Sequence, residues 1–126
     1  MDKRLVLVVE DDPVVRALTC RQVRRFSYNC EAVSSGEEAV ARSSSDIGLI
    51  FMDIGLPGID GITAAMMIRE KELEHSCKRV PIIALTAHSE RQSCIMAGMD
   101  DFLQKPALLA DIKAILDKWL PCNEKL

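Results

Sequence analysis

The sequence predicts an α/β domain in which a single parallel, doubly wound sheet is covered on both faces by helices. Three observations predict it. Residues 5–9 (LVLVV) and 49–52 (LIFM) are uninterrupted apolar runs closed by acidic and turn residues, the pattern of strands buried on both faces. Five strand-like stretches alternate with five helical ones, as parallel strands joined by crossover helices require. The chain has 126 residues, enough for one such core and too few for two domains, so 1–126 reads as a single unit. No internal repeat or low-complexity segment competes with that reading.

The first run ends in Glu10-Asp11-Asp12, after which Pro13 suits a first helical turn with Asp12 as its cap. Val14, Val15, Leu18, Val23 and Phe26 fall within half of a helical wheel, predicting an amphipathic helix over 13–26. A short strand over 29–33 is broken by Ser34-Ser35-Gly36, and 37–42 follows as a helix burying Ala39 and Val40. Residues 43–46 are a loop leading into the central strand, which runs into Asp53 and is stopped by Pro57-Gly58. Asp60 caps a helix over 61–73, and the alternating charges of 70–74 read as a solvated face. Pro81 opens a strand over 82–85, and a helix over about 89–97 stops at Gly98. A short strand over 101–104 ends at Lys105-Pro106. Leu108, Ile112, Ile115 and Trp119 then recur at helical spacing up to Pro121, with 121–126 expected to fray.

Composition excludes several function classes. Hydrophobic residues make up 48% and charged residues 28%, an ordinary globular balance with no sign of disorder. A net charge of -3 offers no basic footprint for direct nucleic-acid binding. The longest apolar run near the start is far too short for a signal peptide or a membrane span, so no membrane contact is expected of this domain. The five cysteines, Cys20, Cys30, Cys77, Cys94 and Cys122, are odd in number, far apart and without a CxxC pair. They predict neither a zinc site nor a disulfide framework, but reduced, mostly buried thiols in the cytoplasm.

Strand ends in an open α/β sheet are where ligands bind. Glu10, Asp11 and Asp53 converge there, and at about 4 Å and an effective dielectric near 20 each like-charged pair costs on the order of 4 kcal/mol. A shared proton or a cation must relieve this, and Mg²⁺ is the natural cation for a few carboxylates with water and phosphate (Mn²⁺ could substitute). Thr86 adds a hydroxyl and Lys105 a mobile positive charge. Alone, Asp11 is a cap, Thr86 a turn residue and Lys105 a solvated side chain. Together they are the parts needed to move a phosphoryl group onto a carboxylate.

VLVVEDDP at 6–13, FMDIGLPGIDG at 51–61, PIIALTAHS at 81–89 and AGMDDFLQKP at 97–106 resemble, in order and spacing, the signatures of the receiver domain of two-component signalling. The resemblance covers essentially the whole chain. It implies a flavodoxin-like (βα)5 sheet in the order 2-1-3-4-5. It implies Asp53 as phosphoacceptor, and Glu10, Asp11, Asp53 and the Gly55 backbone carbonyl as the Mg²⁺ site. Thr86, Ala87 and Lys105 would bind the phosphoryl group, Thr86 and Phe102 would be the switch pair, and the Lys105–Pro106 bond would be cis, which proline permits. Asp53 would attack the phosphorus of a phosphohistidine, with Mg²⁺ and Lys105 offsetting developing charge. The dianion would draw in Thr86 and free space for Phe102, rearranging the face around the helix at 89–97, the strand at 101–104 and the last helix. Such a domain is a phosphoacceptor that catalyses its own phosphorylation and dephosphorylation, not a turnover enzyme.

Gly55 has no side chain to shield the phosphoryl group, and His88 brings an imidazole near the rim, so these two are expected to set the dephosphorylation rate. His75 has no assigned role. No output domain follows the last helix, which fits either a stand-alone regulator or a receiver cut from a larger protein. AGMDDFLQKP and ALTAHS resemble receivers of hybrid sensor histidine kinases, and that origin is the expectation, in the cytoplasm or in the cytoplasmic part of a membrane-anchored kinase. The expected partners are a histidine kinase, a histidine phosphotransfer domain, or both, with room for a weak homodimer. A phosphatase of similar topology typically carries an acid two residues after its nucleophile, where this chain has Gly55. A pseudo-receiver that only binds needs a lost acceptor, metal acid or lysine, and none is lost. A flavodoxin-like cofactor binder would meet repulsion from Glu10-Asp11-Asp12.

Overall fold

A computed structural model describes residues 5–87, 95 and 97–120. Its elements are β1 (Leu5–Val9), α1 (Pro13–Arg25), β2 (Asn29–Val33), α2 (Gly36–Arg42), β3 (Ile47–Asp53), α3 (Gly61–Glu74), β4 (Ile82–Thr86), β5 (Asp101–Gln104) and α4 (Leu109–Trp119). The helix expected over 89–97 falls almost wholly outside the described residues, as does the tail from Pro121.

The strands form one sheet in the order β2-β1-β3-β4-β5, every neighbouring pair parallel. Because side chains alternate across a strand, the apolar runs feed two cores. Leu7, Val9, Ile50, Met52, Ile82 and Ala84 pack with Ala39 of α2 and Ala64, Ala65 and Ile68 of α3. Val6, Val8, Leu49, Phe51, Ile83 and Leu85 pack with Cys20 and Val23 of α1 and Ile112, Ile115 and Leu116 of α4. The sheet is doubly wound, in the predicted order.

Local chemistry sets the helix starts. Asp12 Oδ1 accepts from the N–H groups of Val14 and Val15 at 2.9 and 3.2 Å, with Pro13 opening α1. Asp60 Oδ1 accepts from the Thr63 N–H at 2.8 Å and opens α3. Register then fixes the working edge. Val9 lies opposite Met52, Asp53 opposite Leu85, and Thr86 opposite Gln104. Glu10, Asp53, Thr86 and Lys105 therefore emerge side by side.

Three expectations need correction. Val14 and Leu18 are 74% and 51% exposed, because α1 meets the sheet through a narrower stripe centred on Thr19, Cys20 and Val23. Leu108 is likewise exposed at the start of α4, and Leu116 fills the core position instead. The charged end of α3 is not simply solvated. Lys71 Nζ donates to the carbonyls of Val40 and Ser43 at 2.7 and 2.8 Å, while Glu72 accepts from Arg69 and from the Val80 N–H. The lysine thus satisfies carbonyls at the end of α2 that have no intrahelical donor. Cys20 and Cys30 are buried free thiols and Cys77 is half-buried; Cys94 and Cys122 lie outside the described residues. No described helix is long and apolar enough to cross a membrane.

Candidate functional site

The carboxyl ends of β1, β3 and β4, with the residue following β5, enclose a cleft of about 390 Å³. It is lined by Glu10, Asp11, Asp12, Asp53, Ile54, Gly55, Thr86, Ala87 and Lys105. All the site residues expected around Asp53 line it except His88, which lies outside the described residues, and Phe102, which lies to one side. A larger cleft of about 560 Å³ sits at the opposite end of the sheet, between the C-terminal ends of α2 and α3. Its central cation, Lys71, is already engaged by backbone carbonyls, so it gathers no comparable chemistry.

Asp53, at the end of a fully buried strand, is itself only 4% exposed. Its Oδ1 accepts from the Gly55 N–H at 3.2 Å and forms an ion pair with Lys105 Nζ at 3.2 Å. The same ammonium lies 3.2 Å from Glu10 Oε1, so one lysine bridges two carboxylates brought from the ends of β1 and β3. Burial raises the Glu10 carboxyl above the usual range; the Asp12 N–H, donating to Oε2 at 3.2 Å, opposes this, and the nearby Asp53 charge adds to it. For Lys105, burial disfavours the charge, but Asp53 and Glu10 outweigh it and hold the ammonium above the ordinary lysine value.

The donor set suits a hard divalent cation. One oxygen each from Glu10, Asp11 and Asp53 can be chosen so that all lie within 4.8 Å of one another. Glu10 Oε1 is enclosed yet makes no hydrogen bond, leaving it dependent on charge alone. Asp11 is exposed, on the solvent side where a cation retains water. These residues fit Mg²⁺.

Thr86 closes β4 as a buried hydroxyl, Ala87 follows it at the surface, and the Lys105 N–H donates to the Thr86 carbonyl at 2.8 Å. Phe102 is half-buried, opposite Ala84 in the sheet and packed against the α2–α3 core. The Lys105–Pro106 bond is cis. Gly55 faces open space, with nothing within 4 Å of where a Cβ would stand.

Two supporting residues escaped sequence reasoning. A Cβ on Gly61 would stand 2.2 Å from the Asp53 carbonyl oxygen, so only glycine lets α3 start this close to Asp53. Its signal was the Asp60-Gly61 pair, read only as a helix start. Arg16, one turn into α1, donates through Nη1 to the carbonyls of Glu10 and Asp11 at 3.0 and 3.4 Å and so steadies the acidic loop. An arginine a few residues after an acidic pair is too common a pattern to have marked it.

Comparison with known proteins agrees with this geometry. The family model for the response regulator receiver domain matches residues 6–117. Hybrid signal transduction histidine kinase L of Dictyostelium discoideum is 36% identical over 121 residues, covering 90% of this chain and 7% of the kinase. The chain thus spans a small fraction of the curated relatives it matches. The receiver domain of a sensor histidine kinase from Pseudomonas aeruginosa PAO1, solved with a magnesium ion coordinated in its active-site cleft, is 37% identical with a TM-score of 0.81. That match covers 94% of this chain and 98% of the other. A chain from the co-crystal structure of the Saccharomyces cerevisiae histidine phosphotransfer protein Ypd1 with the receiver domain of Ssk1 is 30% identical with a TM-score of 0.86. It is matched over 94% of this chain and 89% of its own length.

Proposed function

The chain belongs to the response regulator receiver domain family, and from that premise we propose that Asp53 is the acceptor through which it takes part in a two-component phosphorelay. The observation that carries this is the Lys105 ammonium held 3.2 Å from both Asp53 and Glu10 inside the cleft, a pre-placed positive charge at the carboxylate best positioned to attack.

The donor is a phosphohistidine on a histidine kinase or a histidine phosphotransfer domain. An Asp53 carboxylate oxygen forms the new bond to phosphorus as the phosphorus–nitrogen bond to histidine breaks, and histidine leaves with the electron pair. Lys105 passes from the bare carboxylate to a phosphoryl oxygen, so its charge stays compensated throughout. Glu10, Asp11, Asp53 and the Gly55 carbonyl would hold Mg²⁺, which neutralises charge on the transferring group when bound. The Thr86 hydroxyl and the Ala87 backbone receive the phosphoryl oxygens. Movement of Thr86 toward them opens space for Phe102, and that exchange alters the surface a partner reads. Gly55, with nothing within 4 Å of where a Cβ would stand, has no side chain to shield the phosphoryl group or guide water, and with His88, two residues after Thr86 in sequence, sets the rate of dephosphorylation.

Likeness to hybrid kinases supports an origin within such a protein, as one cytoplasmic domain of 1–126 that relays to a histidine phosphotransfer partner; a stand-alone regulator is the other arrangement. The decisive experiment incubates the chain with acetyl phosphate and Mg²⁺ and reads intact mass. Wild type gains one phosphoryl group only when Mg²⁺ is present, and Asp53→Asn gains none. Failure of the folded wild type to gain it would make the chain a module that acts by binding alone.

A further inference from the structure

Two thiols outside the cleft are left unused by the phosphoryl chemistry. Cys20, on the inner face of α1, and Cys30, the second residue of β2, bring their sulfurs to 3.0 Å, with the Cys30 thiol donating. We propose that Cys20 and Cys30 form a redox-active dithiol, a modification site that a hydroperoxide closes to an intradomain disulfide. A disulfide needs about 2.05 Å between sulfurs, so an approach of roughly 1 Å completes it.

A single buried cysteine behaves as a small apolar residue and reacts slowly. What sets this pair apart is its surroundings. Arg24, one turn after Cys20, donates through Nη2 to the Cys30 carbonyl at 2.9 Å and so is anchored beside the sulfurs. Arg16 lies one turn before Cys20. The Cys30 hydrogen bond, aided by Arg24 and Arg16 against the effect of burial, pushes the Cys20 thiol down to about 7. The same hydrogen bond, with burial, raises Cys30, so of the two thiols Cys20 is the one that ionises more readily. At 5% and 8% exposure the two residues are enclosed, which bars a bulky disulfide such as oxidised glutathione more than a small peroxide.

The chemistry balances without further reactants. The Cys20 thiolate attacks one peroxide oxygen, the oxygen–oxygen bond breaks, and the departing oxygen takes a proton from solvent and leaves as water from hydrogen peroxide, or as the alcohol from an organic hydroperoxide. Cys30 then attacks the Cys20 sulfenic sulfur, the sulfur–oxygen bond breaks, and the Cys30 proton leaves with that oxygen as water. The product ties α1 to β2 and leaves Glu10, Asp11 and Asp53 chemically untouched, so this inference stands apart from the phosphoacceptor reading.

The test exposes the reduced full chain to hydrogen peroxide under native conditions, then alkylates, digests with trypsin and reads masses. Arg21, Arg24 and Arg25 separate the two cysteines into different peptides. Expected are a loss of two hydrogens per chain, one cross-linked pair carrying Cys20 and Cys30, and reversal by dithiothreitol. In Cys30→Ala the Cys20 sulfenic acid persists and is captured by dimedone, whereas Cys20→Ser leaves Cys30 alkylatable. Full alkylation of both wild-type cysteines after peroxide, or a link to Cys77, Cys94 or Cys122 instead, would overturn the proposal. The wild-type masses decide this even if a variant fails to fold.

Discussion

Helix α3 begins so close to Asp53 that an alanine Cβ at Gly61 would stand 2.2 Å from the Asp53 backbone carbonyl oxygen and 2.9 Å from the Ile54 Cα. Both neighbours are backbone, which cannot step aside as a flexible side chain can. Gly61→Ala is therefore expected to lose about 1–3 kcal/mol of stability by forcing the turn open. Gly55→Ala, which meets open space, is expected to stay within roughly 0.5 kcal/mol of wild type. Urea midpoints at unchanged slope compare the two, and equal losses would contradict the close-approach account. The pair also explains what the sequence displayed at this scale. Glu10, Asp53, Thr86 and Lys105 were legible because each ends or follows a strand-like run. Gly61 was not, since a close backbone approach leaves no side chain to read, and Arg16 acts through main-chain carbonyls that any sequence would supply.

At the scale of the element, burial follows the face a helix turns to the sheet more than the apolarity of its residues. On α3, Ala64, Ala65 and Ile68 are fully enclosed, whereas Met66, Met67 and Leu73 are 54%, 41% and 82% exposed. Ile68→Ala should cost about 2–5 kcal/mol through lost packing and a cavity. Met67→Ala, which removes a half-wet side chain, should cost less than about 1 kcal/mol. Thermal or urea unfolding of both variants checks the ranking, and a Met67 loss matching that of Ile68 would break it. The same logic accounts for the over-wide stripe read on α1, where half a wheel of apolar residues exceeded the strip the sheet covers. Strands were easier to place, because a run such as LIFM is buried on both faces and leaves no facing to decide. The Lys71 bond to the end of α2 was out of reach, since it depends on how two helices lie together.

For the molecule as a whole, the edge that carries the chemistry works against stability. Three carboxylates stand there with one lysine between two of them, and Glu10 is buried with its Oε1 lacking a hydrogen bond. A divalent cation that binds this cluster only in the folded state must raise stability by mass action, by about 2.7 kcal/mol at a hundred times its dissociation constant. Titrating Mg²⁺ during urea unfolding is expected to raise the midpoint of wild type and to leave that of Asp53→Asn nearly still. A matching rise in the variant would mean that the cation binds elsewhere. Strand order and register set a further condition on this edge, one of time. Glu10 belongs to the first strand's end and Lys105 follows the last strand, yet the two meet at 3.2 Å. During synthesis the acidic residues leave the ribosome long before the ammonium that compensates them, so a nascent chain carries Asp53 and Glu10 without their counter-charge. The edge is therefore complete only once translation has passed β5 and the sheet has closed.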